Sequence, residues 1–384
     1  MRRVLLLFVA TALVTACGSG GDRARPADQL RDGQPGVMVE REWRRPAGSG
    51  ILTEGGVMPP VLVDDTLHVA DRRGRLSAYD ASSGALLWRH STGARISAGP
   101  GVGDGVAVVA TRKGRVVAVD VESGEERWES EVSSEVLGQP VIHDDRVIVR
   151  SNDGRVYGLS LETGSRRWLE DVSVPSLSLR GTSNPVRFED RILIGFETGL
   201  LRSLDLRSGE QQWEVTVAEP RGSADLDRVR DVDSTPVVDE GTVFVAGYRG
   251  QLMALDAETG NPRWQREFSA YADLAVDDER VYASDDRGRV WGLDRDTGSA
   301  LWRQNETRGL DISGVVVHDS FLVFGDDRGR LNVLDPEDGR LMARVAVGDE
   351  QRLSQLPVSD GEGLLVVSDR GELSRYRLRP RARD

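Results

Sequence analysis

The chain has one cysteine in 384 residues, Cys17, so it can form no internal disulfide. Lysine is as scarce: Lys113 stands alone and arginine supplies the other basic residues, which we read as genomic codon bias rather than chemistry. Positive charge is also the minority sign, with 50 basic against 63 acidic residues and a formal net charge of −13. Loss of residues 1–16 would remove two arginines and no acid, giving −13 − 2 = −15. That balance argues against nucleic acid as a partner, because phosphate binding needs a basic stripe. There are four histidines (His68, His90, His143 and His318), and no pair has metal-ligand spacing. No apolar run reaches the ~20 residues of a membrane helix.

Catalytic motifs are missing too. There is no G-x-S-x-G and no P-loop. The acidic pairs Asp64-Asp65, Asp144-Asp145, Asp239-Glu240 and Asp277-Asp278 resemble paired catalytic carboxylates at first sight. They recur at one position of a repeat, so they read as solvated turn residues. His143 and His318 fall at the same polar corner and read likewise. No catalytic residue, metal ligand or cofactor site is therefore expected.

What the chain does have is a repeat. Its fullest copy is Asp285 to Trp302, DDRGRVWGLDRDTGSALW, which reads turn, strand, turn, strand. A first-turn glycine recurs at Gly74, Gly114, Gly154, Gly199, Gly250, Gly288, Gly329 and Gly371. A second-turn glycine recurs at Gly84, Gly124, Gly164, Gly209, Gly260, Gly298 and Gly339. A closing tryptophan recurs at Trp88, Trp128, Trp168, Trp213, Trp264 and Trp302. An all-strand period near 40 residues indicates propeller blades. Runs such as Val116 to Val119 and Leu252 to Leu255 are apolar at successive positions, as in strands buried on both faces. The tryptophan should fill the gap between adjacent blades, with its indole N–H in need of an acceptor.

The count sets the closure. There are eight first turns but seven second turns, and Ala343 stands where the seventh tryptophan would be. The eighth unit stops after its third strand, at Arg375 to Leu378. Its missing strand is Val39 to Arg44, ending near Trp43, which lies 45 residues before Trp88. The expected fold is all-β, an eight-bladed propeller of four-stranded blades over residues 37–379, closed by the N-terminal strand. Closure of this kind removes free sheet edges and ties the start of the propeller beside its end.

Outside the repeat, residues 1–16 read as a signal peptide: Arg2-Arg3, then an apolar stretch from Val4 to Val14. Val14-Thr15-Ala16-Cys17 resembles a bacterial lipobox, which implies lipidation of Cys17. Gly18 after it resembles the pattern passed on to the outer membrane. Residues 17–36 are rich in Gly, Pro, Asp and Arg and read as a tether, about 60 Å at full extension and about 25 Å as a coil. Residues 380–384 form a C-terminal tail.

Two repeats are long. Tryptophan spacing is 40 residues from Trp88 to Trp128 and from Trp128 to Trp168, then 45 to Trp213 and 51 to Trp264. The excess falls in Ser173 to Asn184 and Ala218 to Ser234. Insertions in neighbouring repeats map to loops on one face, often the binding face; drift in loop length is the alternative. Composition favours binding. Leu177 and Leu179 stand beside Arg180, and Asp231 and Asp233 follow Arg228 and Arg230.

The D-x-x-T-G turn followed by tryptophan resembles the pyrroloquinoline-quinone (PQQ) repeat, whose propellers include quinoprotein dehydrogenases and non-enzymatic relatives. The dehydrogenases are longer and often carry a vicinal cysteine pair, which this chain lacks. Within that class, the lipobox, the eight repeats and both inserts resemble the BamB family, lipoproteins of the outer-membrane β-barrel assembly (BAM) machinery. The most specific pieces are PSLSLRG at 175–181 and DRVRDVDSTP at 227–236. The resemblance implies a non-enzymatic scaffold that faces the periplasm, helps barrel proteins insert into the outer membrane and works with other BAM subunits. It implies that Leu177, Leu179, Arg180, Asp231 and Asp233 contact the POTRA domains of BamA, and it leaves room for unfolded barrel proteins as further partners. The alternatives are a PQQ-dependent dehydrogenase-like enzyme or another cell-envelope propeller scaffold.

Overall fold

The computed structural model describes residues 36–50, 58–172, 183–219, 231–232, 234–270, 272–348 and 351–380. Cys17, the signal peptide, the tether up to residue 35 and tail residues 381–384 lie outside the described residues.

Burial follows the sequence pattern strand by strand. In the second blade, Val106–Thr111 is buried at every position. Arg115–Asp120 is buried at its four central positions, whereas Glu126–Glu131 is mostly exposed with Trp128 turned inward. A middle strand is covered front and back by neighbouring blades, so it needs apolar residues on both faces. An outer strand needs only one. Eight antiparallel sheets of four strands repeat this plan. Seven are continuous in sequence, with their strands within 61–91, 96–131, 141–171, 186–216, 237–268, 275–304 and 316–346. The eighth joins Val358–Ser359, Leu364–Val367 and Glu372–Pro380 to Val37–Pro46. This is the expected eight-bladed propeller with N-terminal closure. Apolar clusters straddle blades: one joins Leu67 and Val69 of blade one to Val117 and Val119 of blade two and Leu365 and Val367 of blade eight.

The tryptophans lock blade to blade. Each indole N–H donates to a backbone carbonyl in the hairpin of the next blade: Trp88 to Val121 at 2.7 Å, Trp128 to Leu161 at 2.7 Å, Trp168 to Leu206 at 3.0 Å. The same bond joins Trp213 to Ala257 at 3.2 Å, Trp264 to Arg295 at 2.7 Å and Trp302 to Pro336 at 2.8 Å. Trp43 of the closing strand donates to Ser82 at 2.8 Å, so blade eight grips blade one. The acceptor hairpin carries the second-turn glycine. At Gly124 φ is +71°, and an added Cβ would lie 2.7 Å from the Trp88 ring. Glycine is thus required there twice, by its left-handed backbone and by the indole lying against it.

Closure is charged as well as hydrogen-bonded. Val37–Pro46 pairs with Glu372–Pro380 from Val37↔Pro380 to Pro46↔Glu372, with one register shift between Arg41 and Trp43. Arg375 makes ion pairs with Glu42 and Asp360, Arg377 pairs with Glu42 at 2.6 Å, and Arg44 pairs with Glu372.

The acidic corners are turn residues, as expected. Asp64, Asp144 and Glu240 sit at left-handed φ in the hairpins between first and second strands. His318 departs from its reading as a turn residue. It ends the strand Val316–His318 and is 1 % exposed, with Nδ1 2.7 Å from Ser359 Oγ. A ring that packs between blades counts as core, whatever follows it in sequence.

Candidate functional site

Strand order fixes where the inserts lie. Within a blade the chain turns at one face between first and second strands, returns at the other between second and third, and alternates again. Every link from a fourth strand to the next first strand therefore crosses one face, shared with the second-to-third turns. The first insert links Arg166–Asp171 to Val186–Phe188, and the second links Gln211–Thr216 to Val237–Asp239. Both connections leave and re-enter the sheets on that one face, between neighbouring blades. Val37 and Pro380 lie at the opposite face, since Pro46, at the other end of the ladder, meets Glu372 beside the turn at 368–371.

Leu177, Leu179, Arg180 and Asp233 lie outside the described residues. Asp231 is described, and it is 1 % exposed. It forms an isolated bridge with Tyr248, whose N–H donates to the Asp231 carbonyl at 2.8 Å. Direct contact between Asp231 and a partner does not fit that burial, because a carboxylate inside the loop root is not presented at the surface. Asp231 belongs to the platform.

That platform is well anchored. Val232 is fully buried against Gly195, where an added Cβ would come within 2.6 Å of Val232. Ser234 Oγ donates to the Ala246 carbonyl at 2.6 Å and accepts from its N–H at 3.1 Å. At the ends of the second strands of blades three and four, on the insert-bearing face, Arg150 and Glu197 form an ion pair in which both side chains are at most 3 % exposed. Arg150 also donates to the Gly195 carbonyl at 3.0 Å and lies 4.7 Å from the Phe196 ring centre. A buried pair of this kind binds blades three and four together; loss of one member would strand a charge.

A polar chain runs across the same face. Gln139 N–H donates to Asn184 Oδ1 at 2.8 Å, Asn184 Nδ2 to Thr235 Oγ1 at 3.1 Å, and Thr235 N–H to Asp273 Oδ1 at 2.7 Å. These residues lead into the first strands of blades three to six, so the ends of both inserts share one network. Burial pushes the Asp273 carboxyl above its ordinary range, against the Thr235 hydrogen bonds that pull it down. Sequence reading missed this chain, although a polar residue recurs just before Pro140, Pro185 and Pro236.

Among the described residues, no group of three or more His, Cys, Asp or Glu side chains has metal-holding geometry, and no helix is long and apolar enough to cross a membrane. What the face offers is a hydrogen-bonded base at the ends of two long connections.

The family model described as outer membrane protein assembly factor BamB matches residues 34–96, 72–304 and 292–379. The chain is 42 % identical over 377 residues to the outer membrane protein assembly factor BamB of Alkalilimnicola ehrlichii, covering 98 % of this chain and 97 % of that one. It is 37 % identical over 378 residues to the protein of that name from Pseudomonas aeruginosa, covering 98 % and 99 %. The crystal structure of BamB from Moraxella catarrhalis superposes with a TM-score of 0.81 at 27 % identity, covering 88 % of this chain and all of that one. A quinohemoprotein alcohol dehydrogenase from Comamonas testosteroni shares the fold alone, with a TM-score of 0.68 at 13 % identity, covering 90 % of this chain and 77 % of that one.

Proposed function

The chain belongs to the family of outer membrane protein assembly factor BamB, and on that premise we propose that its insert-bearing face is where it holds the assembly machinery. It is an outer-membrane protein assembly factor of the BAM complex, a scaffold rather than a quinone-dependent dehydrogenase. The finer reading is as follows. Residues 1–16 are a signal peptide, Cys17 is lipidated, and residues 17–36 tether the propeller of residues 37–379 to the outer membrane, on its periplasmic side. The propeller performs no chemistry. It binds the POTRA domains of BamA through Leu177, Leu179, Arg180 and Asp233, while buried Asp231 holds the second insert in place. Leu177 and Leu179 bury apolar area, and Arg180 pairs with a carboxylate or carbonyl.

The observation that carries this reading is that both long inserts spring from one face, on adjacent blades, from buried and hydrogen-bonded roots. Membrane attachment on the opposite face, where Val37 lies, leaves the insert face clear for a partner.

The test is retention of BamA by the tagged lipoprotein from detergent-solubilised outer membranes. The wild type should retain it. A folded Leu177→Ala/Leu179→Ala/Arg180→Ala variant should lose it, each hot-spot truncation costing about 2 kcal/mol or more. Retention by the variant would remove the proposed contact, and failure of the wild type would remove the partner.

A further inference from the structure

One cluster reaches beyond the blade repeat: Arg266 makes the repeat's bond to the next blade's second-turn glycine, as Ser130 and Gln304 do, but Trp291 and Arg303 take no part in it. Blade six carries a tryptophan in its third strand, Trp291, where the other blades have Ser77, Val117, Tyr157, Arg202, Met253, Asn332 and Ser374. It is not a blade lock: its indole N–H donates within its own blade, to Asp285 Oδ2 at 2.9 Å. The ring packs edge-on against Phe268 of blade five, centre to centre 6.0 Å. Three guanidiniums surround it, Arg303 at 5.1 Å, Arg289 at 5.6 Å and Arg266 at 5.9 Å.

Their charges are not equally balanced. Arg289 is paired with Asp285 at 2.6 Å. The Asp285 carboxylate is therefore taken up by Arg289 and Trp291. Arg266 donates only to the Gly298 carbonyl, and its Nε is buried without a hydrogen-bond acceptor. Burial pulls the Arg266 guanidinium below its ordinary range. Arg303 is exposed and touches only the ring. Among the described residues neither meets a carboxylate, in a chain that is strongly acidic overall. Two cations held beside an aromatic face without a counter-charge leave a place for an anion.

Position says which anion. Phe268 and Trp291 stand at the ends of their strands that reach the insert-bearing face. Phe268 also borders an open groove lined by Val217, Glu219, Arg249 and Gln251. Val217 precedes the second insert and Glu219 is its second residue, and Arg249 lies over Tyr248, the bridge partner of Asp231. Phe268 joins this groove to the Trp291 cluster. Arginine and aromatic residues along it have the composition of interface hot spots.

We propose that Arg266, Arg303 and Trp291 form an anion-binding subsite that takes an acidic side chain of the same protein partner, extending the insert contact across blades five and six. This rests on the reading of the insert-bearing face as the partner-binding face. The partner segment would carry an aspartate or glutamate seated between the two guanidiniums over the indole.

The test titrates the full lipoprotein in detergent with the purified POTRA region of BamA, at low and high salt. It compares wild type, Arg303→Glu, Arg266→Gln/Arg303→Glu and Leu177→Ala/Arg180→Ala. Arg303→Glu alters an exposed side chain, so it reports even where the double variant unfolds. The subsite predicts binding about tenfold weaker or more at low salt for Arg303→Glu. Much of the salt dependence should go with it. Unchanged affinity in Arg303→Glu overturns the proposal while leaving the insert contact to its own variant. Loss in Arg303→Glu without loss in Leu177→Ala/Arg180→Ala upholds the subsite and overturns the insert contact. No binding by wild type overturns both. A fourth arm uses vesicles of anionic phospholipid; loss of vesicle binding alone in Arg303→Glu assigns the cluster to the membrane and overturns the proposal.

Discussion

Seven of the eight blade junctions carry a tryptophan bonded to the hairpin of the next blade, and the junction between blades seven and eight does not. The difference has a physical origin. The acceptor at each locked junction is a carbonyl in the hairpin between third and fourth strands. Blade eight has no such hairpin, because its third strand is the last of the chain and its fourth is the first. A tryptophan at position 343 would find no such hairpin carbonyl. Ala343 stands there, 4 % exposed. The residue opposite adjusts as well: Trp128 faces Ala118 and Trp302 faces Gly292, whereas Ala343 faces the larger Val333. Blade eight is held to itself by a long ladder and the ion pairs of Glu42 and Glu372. The lock is thus a property of a pair of blades, the tryptophan of one and the hairpin of the next.

The largest effect should come from removing a lock. Trp128→Ala deletes a ring that is 7 % exposed together with its bond to Leu161. We expect about 3–5 kcal/mol of lost stability in urea unfolding. A loss under about 1 kcal/mol would mean that the junction does not depend on the indole.

The second prediction separates backbone from packing. Gly164 and Gly93 have φ of +69° and +68°. A Cβ at Gly164 meets Ser130 Oγ at 2.4 Å and the Trp128 ring at 2.5 Å, whereas at Gly93 nothing lies within 4 Å. Gly93→Ala should cost about 1 kcal/mol, the left-handed penalty alone. Gly164→Ala should add roughly 1–3 kcal/mol of overpacking. Equal midpoints would show that the tryptophan does not press on its glycine.

The third concerns the open junction. If the lock needs an acceptor hairpin, Ala343→Trp should not stabilise, and crowding against Val333 should cost roughly 1–3 kcal/mol. A raised thermal midpoint would contradict the explanation given for Ala343.

The smallest effect is one of pH. His68 is 1 % exposed, with its ring 5.8 Å from that of Trp88, and burial lowers its pKa below the usual 6.5. His318 is lowered by burial as well. The unfolded chain then binds more protons than the folded one just below pH 6.5, so stability is full above that value and falls as pH drops through it toward the folded pKa. His68→Phe should flatten that fall, read as the change in thermal midpoint between neutral and mildly acid buffer. An unchanged slope would clear His68 of the effect.

Most of the fold was legible because the repeat states it. The glycine and tryptophan positions gave the blades, and the stray strand at Val39 to Arg44 gave the closure. The reason for Ala343 was not legible from its own repeat, since it lies in what the following blade lacks. The site was legible in part. Insert lengths pointed to one face, but Asp231 could not be told from Asp233 by composition, and a backbone bridge to Tyr248 draws it into the loop root. The polar chain through Gln139, Asn184, Thr235 and Asp273 spans four blades, and no local pattern links positions so far apart in sequence. Trp291 stands outside the closing-tryptophan series, but Phe268 and Arg266 belong to another blade, and no local pattern brings them to it.

The central claim is that the partner sits on the insert-bearing face and not on the face where Val37 and Pro380 lie. Site-specific photo-crosslinking in growing cells tests it most directly. A photoreactive residue would be placed at 177 or 179 in one set, and at the exposed opposite-face turn positions 145 and 162 in the other. The account predicts BamA adducts from the first set and none from the second. Adducts from positions 145 and 162, with none from 177 or 179, would contradict it.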